Sequence, residues 1–110
     1  MNTLSTHILD TAHGKPAAGM ALTLSRGDGV VLFTGQTNDD GRCPGLPALD
    51  AGRYRLSFAV ADYFRGAGVV LADPPFLDVI TIDFGLAGDS GHYHVPLLVA
   101  PYGYSTYRGS

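Results

Sequence analysis

The sequence predicts one all-β domain over residues 1–110, an antiparallel β-sandwich. Three observations predict it. The chain has no Glu and a single lysine, Lys15, so strong surface helix formers are nearly absent while Val, Ile, Thr and Tyr are plentiful. Its 15 Gly and 7 Pro punctuate apolar runs of strand length, with turns recurring about every eight to twelve residues, as in sandwiches. Within several runs apolar and polar residues alternate, the period of a half-buried strand.

Taken in order, residues 4–10 alternate and stop at the turn-rich stretch 11–16. Residues 20–26 alternate and turn at Gly27-Asp28-Gly29. Residues 30–37 follow, ending at Asn38-Asp39-Asp40-Gly41, whose Asn and Asp tolerate a left-handed backbone. Gly52 launches residues 53–60, with Tyr54, Leu56, Phe58 and Val60 on one face and Arg53, Arg55 and Ser57 on the other. Residues 61–66 lack the period of two and form the one expected helix, one or two turns long. Gly85, Gly88 and Gly91 separate a strand at 76–84 from one at 92–100. Pro101-Tyr102-Gly103 then turns the chain into a seventh strand, 104–109. No repeat, linker or low-complexity tract interrupts this plan.

Charge and composition exclude whole classes of partner. A net charge of −3 offers no basic patch for nucleic acid. The longest charge-free apolar stretch is far short of the ~20 residues of a membrane helix. Residues 1–9 show neither a basic n-region nor an apolar h-region, so no secretory leader is expected. Cys43 stands alone, which gives no intrachain disulfide and no cysteine zinc cluster. It reads as a small packing residue, and the expected compartment is the cytoplasm.

Strand faces decide what the polar residues can do. In the first strand Leu4, Thr6 and Ile8 share a face, leaving Ser5, His7 and Leu9 on the other. In the sixth, Tyr93, Val95, Leu97 and Val99 make the core face, with His92, His94, Pro96 and Leu98 opposite. Both outer faces thus mix histidine with apolar residues, which calls for a second burial partner, most simply another copy of the chain. His92 and His94 stand about 7 Å apart along one strand face. With His7 they could hold zinc with water in the fourth position. They could equally be interface histidines without a ligand, or metal-free acid–base groups, since imidazole titrates near about 6.5. Arg42, after the Asp-Gly turn, is either a solvated loop charge or a planar clamp for an anionic or carbonyl-rich substrate. No acidic ligands follow Asp39-Asp40-Gly41 to make a calcium loop, and no helix follows Gly27-Asp28-Gly29 to make a phosphate cradle.

Five segments together carry a resemblance. They are Leu4-Ser5-Thr6-His7-Ile8-Leu9-Asp10, Gly14-Lys15-Pro16-Ala17, Thr37-Asn38-Asp39-Asp40-Gly41-Arg42, His92-Tyr93-His94-Val95-Pro96-Leu97-Leu98 and Tyr104-Ser105-Thr106-Tyr107-Arg108-Gly109-Ser110. The chain resembles the 5-hydroxyisourate hydrolases, transthyretin-related enzymes of purine degradation, along its whole length. The resemblance implies a transthyretin-like fold of two four-stranded sheets with one short helix, and a homotetramer with sites at the dimer–dimer interface. It implies hydrolysis of 5-hydroxyisourate without a metal or cofactor. The catalytic residues it implies are His7, Arg42, His94 and Ser110. Substrate binding would fall to His7, Arg42, Tyr107, Arg108 and Gly109, with His92 in a secondary place. The alternative is a non-catalytic carrier of a small planar ligand. Transthyretin, the carrier of the same fold, resembles this chain at Tyr104-Ser105-Thr106 but lacks the histidine pair, the arginine and the Tyr-Arg-Gly-Ser ending. Ala100, where the family often has Ser, is a minor departure.

Overall fold

The computed structural model describes residues 1–109; the candidate Ser110 lies outside the described residues. Eight strands and one helix follow in the order β1 (Thr3–Asp10), β2 (Lys15–Pro16), β3 (Ala21–Arg26), β4 (Val31–Gln36), β5 (Gly52–Ala59), α1 (Val60–Gly66), β6 (Val79–Leu86), β7 (His92–Ala100) and β8 (Gly103–Thr106). They form two four-stranded sheets, ordered β2-β1-β7-β8 and β4-β3-β5-β6. The alternation predicted the faces. Leu4, Thr6, Ile8 and Asp10 of β1 are buried, as are Tyr54, Leu56 and Phe58 of β5 and Val95, Leu97 and Val99 of β7. Those faces meet between the sheets, where Ile8, Leu24, Leu56, Phe58, Leu97 and Val99 are fully enclosed. Fully burying one such side chain stabilises the fold by roughly 1.5–3 kcal/mol. No helix among the described residues is long and apolar enough to cross a membrane.

Four local expectations change. The stretch 11–16 is not all turn, because Leu9 and Asp10 pair with Pro16 and Lys15 and make β2 an edge strand of two residues. Strand β6 starts at Val79 rather than at Phe76. Pro74 and Pro75 bring no backbone donor, and the Asp78 carbonyl accepts instead from the Ala61 N–H at the start of α1 (3.0 Å). Strand β8 stops at Thr106, opposite Leu97, because Pro96 lacks an N–H to continue the ladder. The Thr106 hydroxyl donates to the Pro96 carbonyl there (2.8 Å). Finally, β1 and β7 run parallel, whereas every other strand pair is antiparallel. A whole second sheet lies between them in the chain, so no hairpin dictates an opposite direction.

The termini are tied down by side chains as well as by ladders. Buried Asn2 donates to the carbonyls of Leu49 (3.2 Å) and Gly88 (2.6 Å) and accepts from the Gly91 N–H (3.0 Å). Asp10, at the end of β1, is a buried carboxylate with three donors. These are the Tyr63 hydroxyl (2.7 Å), the His13 ring (2.6 Å) and the His13 N–H (3.0 Å). Burial alone would raise its pKa, but those hydrogen bonds and the His13 charge hold it below the ordinary value of 3.8. The network fastens β1 to α1 and so fixes the strand that carries His7.

Candidate active site

Parallel pairing of β1 and β7 sets the site. Its register places Thr3 beside His92, Ser5 beside His94 and His7 beside Pro96. Since Leu4, Thr6 and Ile8 point into the core, Thr3, Ser5 and His7 point outward with His92 and His94. The Ser5 hydroxyl bridges the two imidazoles, 2.7 Å from His94 Nδ1 and 3.0 Å from His92 Nε2. The Thr3 hydroxyl lies 2.7 Å from His92 Nδ1. Both ring nitrogens of His92 are therefore held by hydroxyls, which leaves little for a substrate to take.

Arg42 reaches this face through the turn at 38–42. Asn38 Oδ1 accepts from the N–H groups of Asp40 (3.0 Å) and Arg42 (3.1 Å), and Asn38 N–H donates to the Arg42 carbonyl (2.7 Å). Gly41 adopts φ +76°, and a Cβ there would collide with the Ile8 carbonyl, so only glycine serves. Its own carbonyl accepts from the Ile8 N–H (2.8 Å), and Arg42 lands beside His7 as a bridge partner. The same turn fixes a tautomer. His7 Nε2 lies 2.8 Å from the Asp40 carbonyl, which can only accept, so Nε2 carries the proton and Nδ1 keeps the lone pair of the neutral ring.

His94 is half-buried, and its pKa is pulled below 6.5, first by that burial and then by the positive charges of Arg42, His7 and His92. The sequence-predicted His7, Arg42 and His94 thus act on one another on one face. A neutral imidazole beside a permanent guanidinium is a base next to an anion holder.

The closing segment is divided. Beyond β8 it returns to β7, where the Gly109 N–H donates to the His94 carbonyl (2.8 Å), as Gly109 lies close against the His94 ring. Arg108 takes another direction. Its guanidinium stacks 4.1 Å above the ring of Tyr93, whose side chain points away from the histidine face. Within one chain the structure thus does not bring Arg108 to the histidines; strand alternation, in register with the His94–Gly109 bridge, sets it on the opposite face. Tyr107 is exposed and shares with Arg108, Phe84 and Tyr93 a cleft of about 300 Å³ between the open sheet edges.

Among the described residues no three His, Cys, Asp or Glu side chains group as a metal site. Both nitrogens of His92 are engaged by Thr3 and Ser5, while His7 keeps Nδ1 and His94 keeps Nε2. Cys43 is buried, and burial pushes its thiol pKa up, as for a packing residue. Sequence reasoning missed the Ser5 and Thr3 hydroxyls. The signal available was Ser5 sharing a face with His7, but its histidine partners depend on a strand pairing that local pattern does not carry.

A family model described as HIUase/Transthyretin family matches residues 4–109. The chain belongs to that family. A 5-hydroxyisourate hydrolase of Ralstonia nicotianae is 55% identical, with all of both chains aligned. The solved 5-hydroxyisourate hydrolase of Klebsiella pneumoniae superposes with a TM-score of 0.85 at 43% identity, again over all of both chains. Transthyretin from Sparus aurata superposes equally well, at 0.85, over 96% of this chain and 95% of its own, but at 32% identity. Fold alone does not separate the family's two kinds of member; the sequence sides with the hydrolases.

Proposed function

We infer that this chain is a 5-hydroxyisourate hydrolase, opening a ring C–N amide of a flat, carbonyl-rich substrate to give 2-oxo-4-hydroxy-4-carboxy-5-ureidoimidazoline. One observation carries the reading: a half-buried His94, biased to its neutral form, shares an outer sheet face with His7 and Arg42 in a chain 55% identical to such a hydrolase. The carrier alternative has no use for that arrangement.

In the proposed mechanism His94 takes a proton from water as the water attacks the ring carbonyl. A positioned base of this kind contributes about 10²–10⁴-fold. The Arg42 guanidinium holds the oxyanion that develops, a contribution of about 3–4 kcal/mol where water is excluded. His7, its Nε2–H committed to Asp40, offers Nδ1 to a substrate N–H or, once protonated, gives a proton to the leaving nitrogen. Tyr107 and the Gly109 segment shape the site. A catalytic role for Ser110, orienting water, is proposed on the closing motif alone.

The histidine face is open in one chain, and a cleft of about 580 Å³ lies elsewhere, against α1. An enclosed site therefore calls for a second copy, and we propose a homotetramer with the sites between dimers. Half-buried Leu98 and exposed Tyr104 and Tyr107 support that packing. A cytoplasmic location fits the lone Cys43. The test of function is the ultraviolet decay of 5-hydroxyisourate, generated in situ from urate, with and without the protein. Decay at the spontaneous rate together with tight binding of a planar ligand would instead establish a carrier. Light scattering tests the tetramer.

A further inference from the structure

The outer face of β1 and β7 holds an unbroken run of hydrogen-bonding groups. In order they are His94 Nδ1, Ser5 Oγ, His92 Nε2, His92 Nδ1 and Thr3 Oγ1, with contacts of 2.7, 3.0 and 2.7 Å between residues. Each hydroxyl has one hydrogen and each neutral imidazole has one. With the Ser5 hydrogen spent inside the run, it has two orders. In the first, His94 Nδ1–H donates to Ser5, Ser5 donates to His92 Nε2, and His92 Nδ1–H donates to Thr3. His94 Nε2 is then a bare lone pair. In the second, every bond is reversed and His94 Nε2 carries the hydrogen.

We propose that Ser5, His92 and Thr3 form a proton relay that sets the tautomer of His94 and carries its proton to the protein surface. Its catalytic half rests on the hydrolase reading; its tautomer half does not. Starting from the first order, a proton taken from water at His94 Nε2 displaces Nδ1–H to Ser5. The Ser5 hydrogen passes to His92 Nε2, the His92 Nδ1 hydrogen to Thr3, and the Thr3 hydrogen to solvent. One proton enters, one leaves, and the second order results with no charge stored. Thr3 and His92 are exposed while Ser5 and His94 are half-buried, so the run leads outward. The need for such an exit is electrostatic, because a His94 cation would face Arg42 from the 38–42 turn, His7 from β1 and His92 from β7. Run backward between turnovers, the relay returns His94 to the first order, releasing its Nε2 hydrogen to water as Thr3 takes one from solvent. Ser5 is thus a positioning residue, and His92 serves the relay rather than the substrate.

Nitrogen-15 NMR of the full-length protein labelled at histidine reads the tautomers directly, beside steady-state kinetics on 5-hydroxyisourate. In the wild type, His94 and His92 should both show Nδ1–H. Ser5→Ala should lose that preference at His94 and lower kcat by about 10–100-fold, the usual cost of removing the partner that orients a functional imidazole. KM should stay within about twofold if Ser5 touches no substrate. Ser5→Thr, which keeps the hydroxyl, should restore both. Thr3→Val reads the run from its other end, and should release His92 from the Nδ1–H form and lower kcat, should Ser5→Ala perturb the strand. Unchanged His94 nitrogen shifts in a folded Ser5→Ala protein would overturn the tautomer lock. Altered shifts with unchanged kcat would overturn the relay. A wild type that consumes no 5-hydroxyisourate sinks the hydrolase reading and the relay's use, while the shifts still decide the lock.

Discussion

The contact between Gly109 and His94 offers the sharpest structural test. A methyl group at position 109 would stand 2.5 Å from His94 Cδ2 and 3.1 Å from Cγ, where ordinary contact begins at 3.4 Å. The backbone of Gly109 is not left-handed, so Gly109→Ala is a purely steric perturbation. Something must give by about 1 Å. Ser5 anchors the ring on one side and the segment 107–109 closes on the other, held to β7 by the Gly109 N–H bond and the Arg108 stack on Tyr93. If the ring yields, the base moves, and a misplacement of about 1 Å costs on the order of 10²-fold in rate. If the segment yields, the enclosure around the base opens and water competes with Arg42 for the oxyanion. Either way kcat falls. Global stability should hardly change, because the clash is confined to one short segment outside the core; a shift in Tm of a few degrees corresponds to under about 1 kcal/mol in a domain of this size. The assay is the initial rate of 5-hydroxyisourate decay, paired with a thermal melt and light scattering. A Gly109→Ala protein of normal stability and assembly that retains the wild-type rate would refute the packing of the closing segment on the catalytic ring.

Other perturbations separate the parts. His94→Asn should keep the assembly and lose about 10²–10⁴-fold of turnover; a near-normal rate would remove His94 as the base. Because burial and then Arg42, His7 and His92 lower the His94 pKa, the base stays neutral down past pH 6.5, and kcat should fall only on the acid side of that value. The same shift makes the folded state bind fewer protons than the unfolded one, so His94's part in stability is intact above pH 6.5 and eroded as pH drops. An acid limb above pH 6.5 would contradict both. Exhaustive chelation should leave activity unchanged; loss reversed by zinc would reinstate a metal role for the three histidines. Tyr63→Phe removes one donor to the buried Asp10 carboxylate and should cost about 1.5–3 kcal/mol by denaturant titration. Asp10's pKa is lowered below 3.8, so this deficit should be full at neutral pH and shrink as pH falls through the carboxylate range.

Which parts of this molecule were legible in the sequence follows from the range of the interactions involved. Alternation is local and set by burial, so the faces of β1, β5 and β7 and the short helix could be read directly; Leu4, Thr6 and Ile8 went in and His7 stayed out. The reach of Arg42 to His7 was half legible. Asn38 and Gly41 advertise a turn, but its landing on the Ile8 backbone depends on a strand 30 residues earlier in the chain. Strand direction was not legible, because a period of two is the same read either way. Yet direction decides the chemistry. Parallel pairing puts Ser5 beside His94 and Thr3 beside His92; an antiparallel β1 would have inverted that order along the face and broken the hydroxyl–imidazole alternation. Arg108 makes the converse point. Its motif marks it as a site residue, but the segment past β8 keeps its register to the His94–Gly109 bridge, so alternation puts Arg108 opposite Val95, on the side of Tyr93. A motif therefore locates the residues on which a site is built, while the alternation of the strand decides which of them face it in one chain.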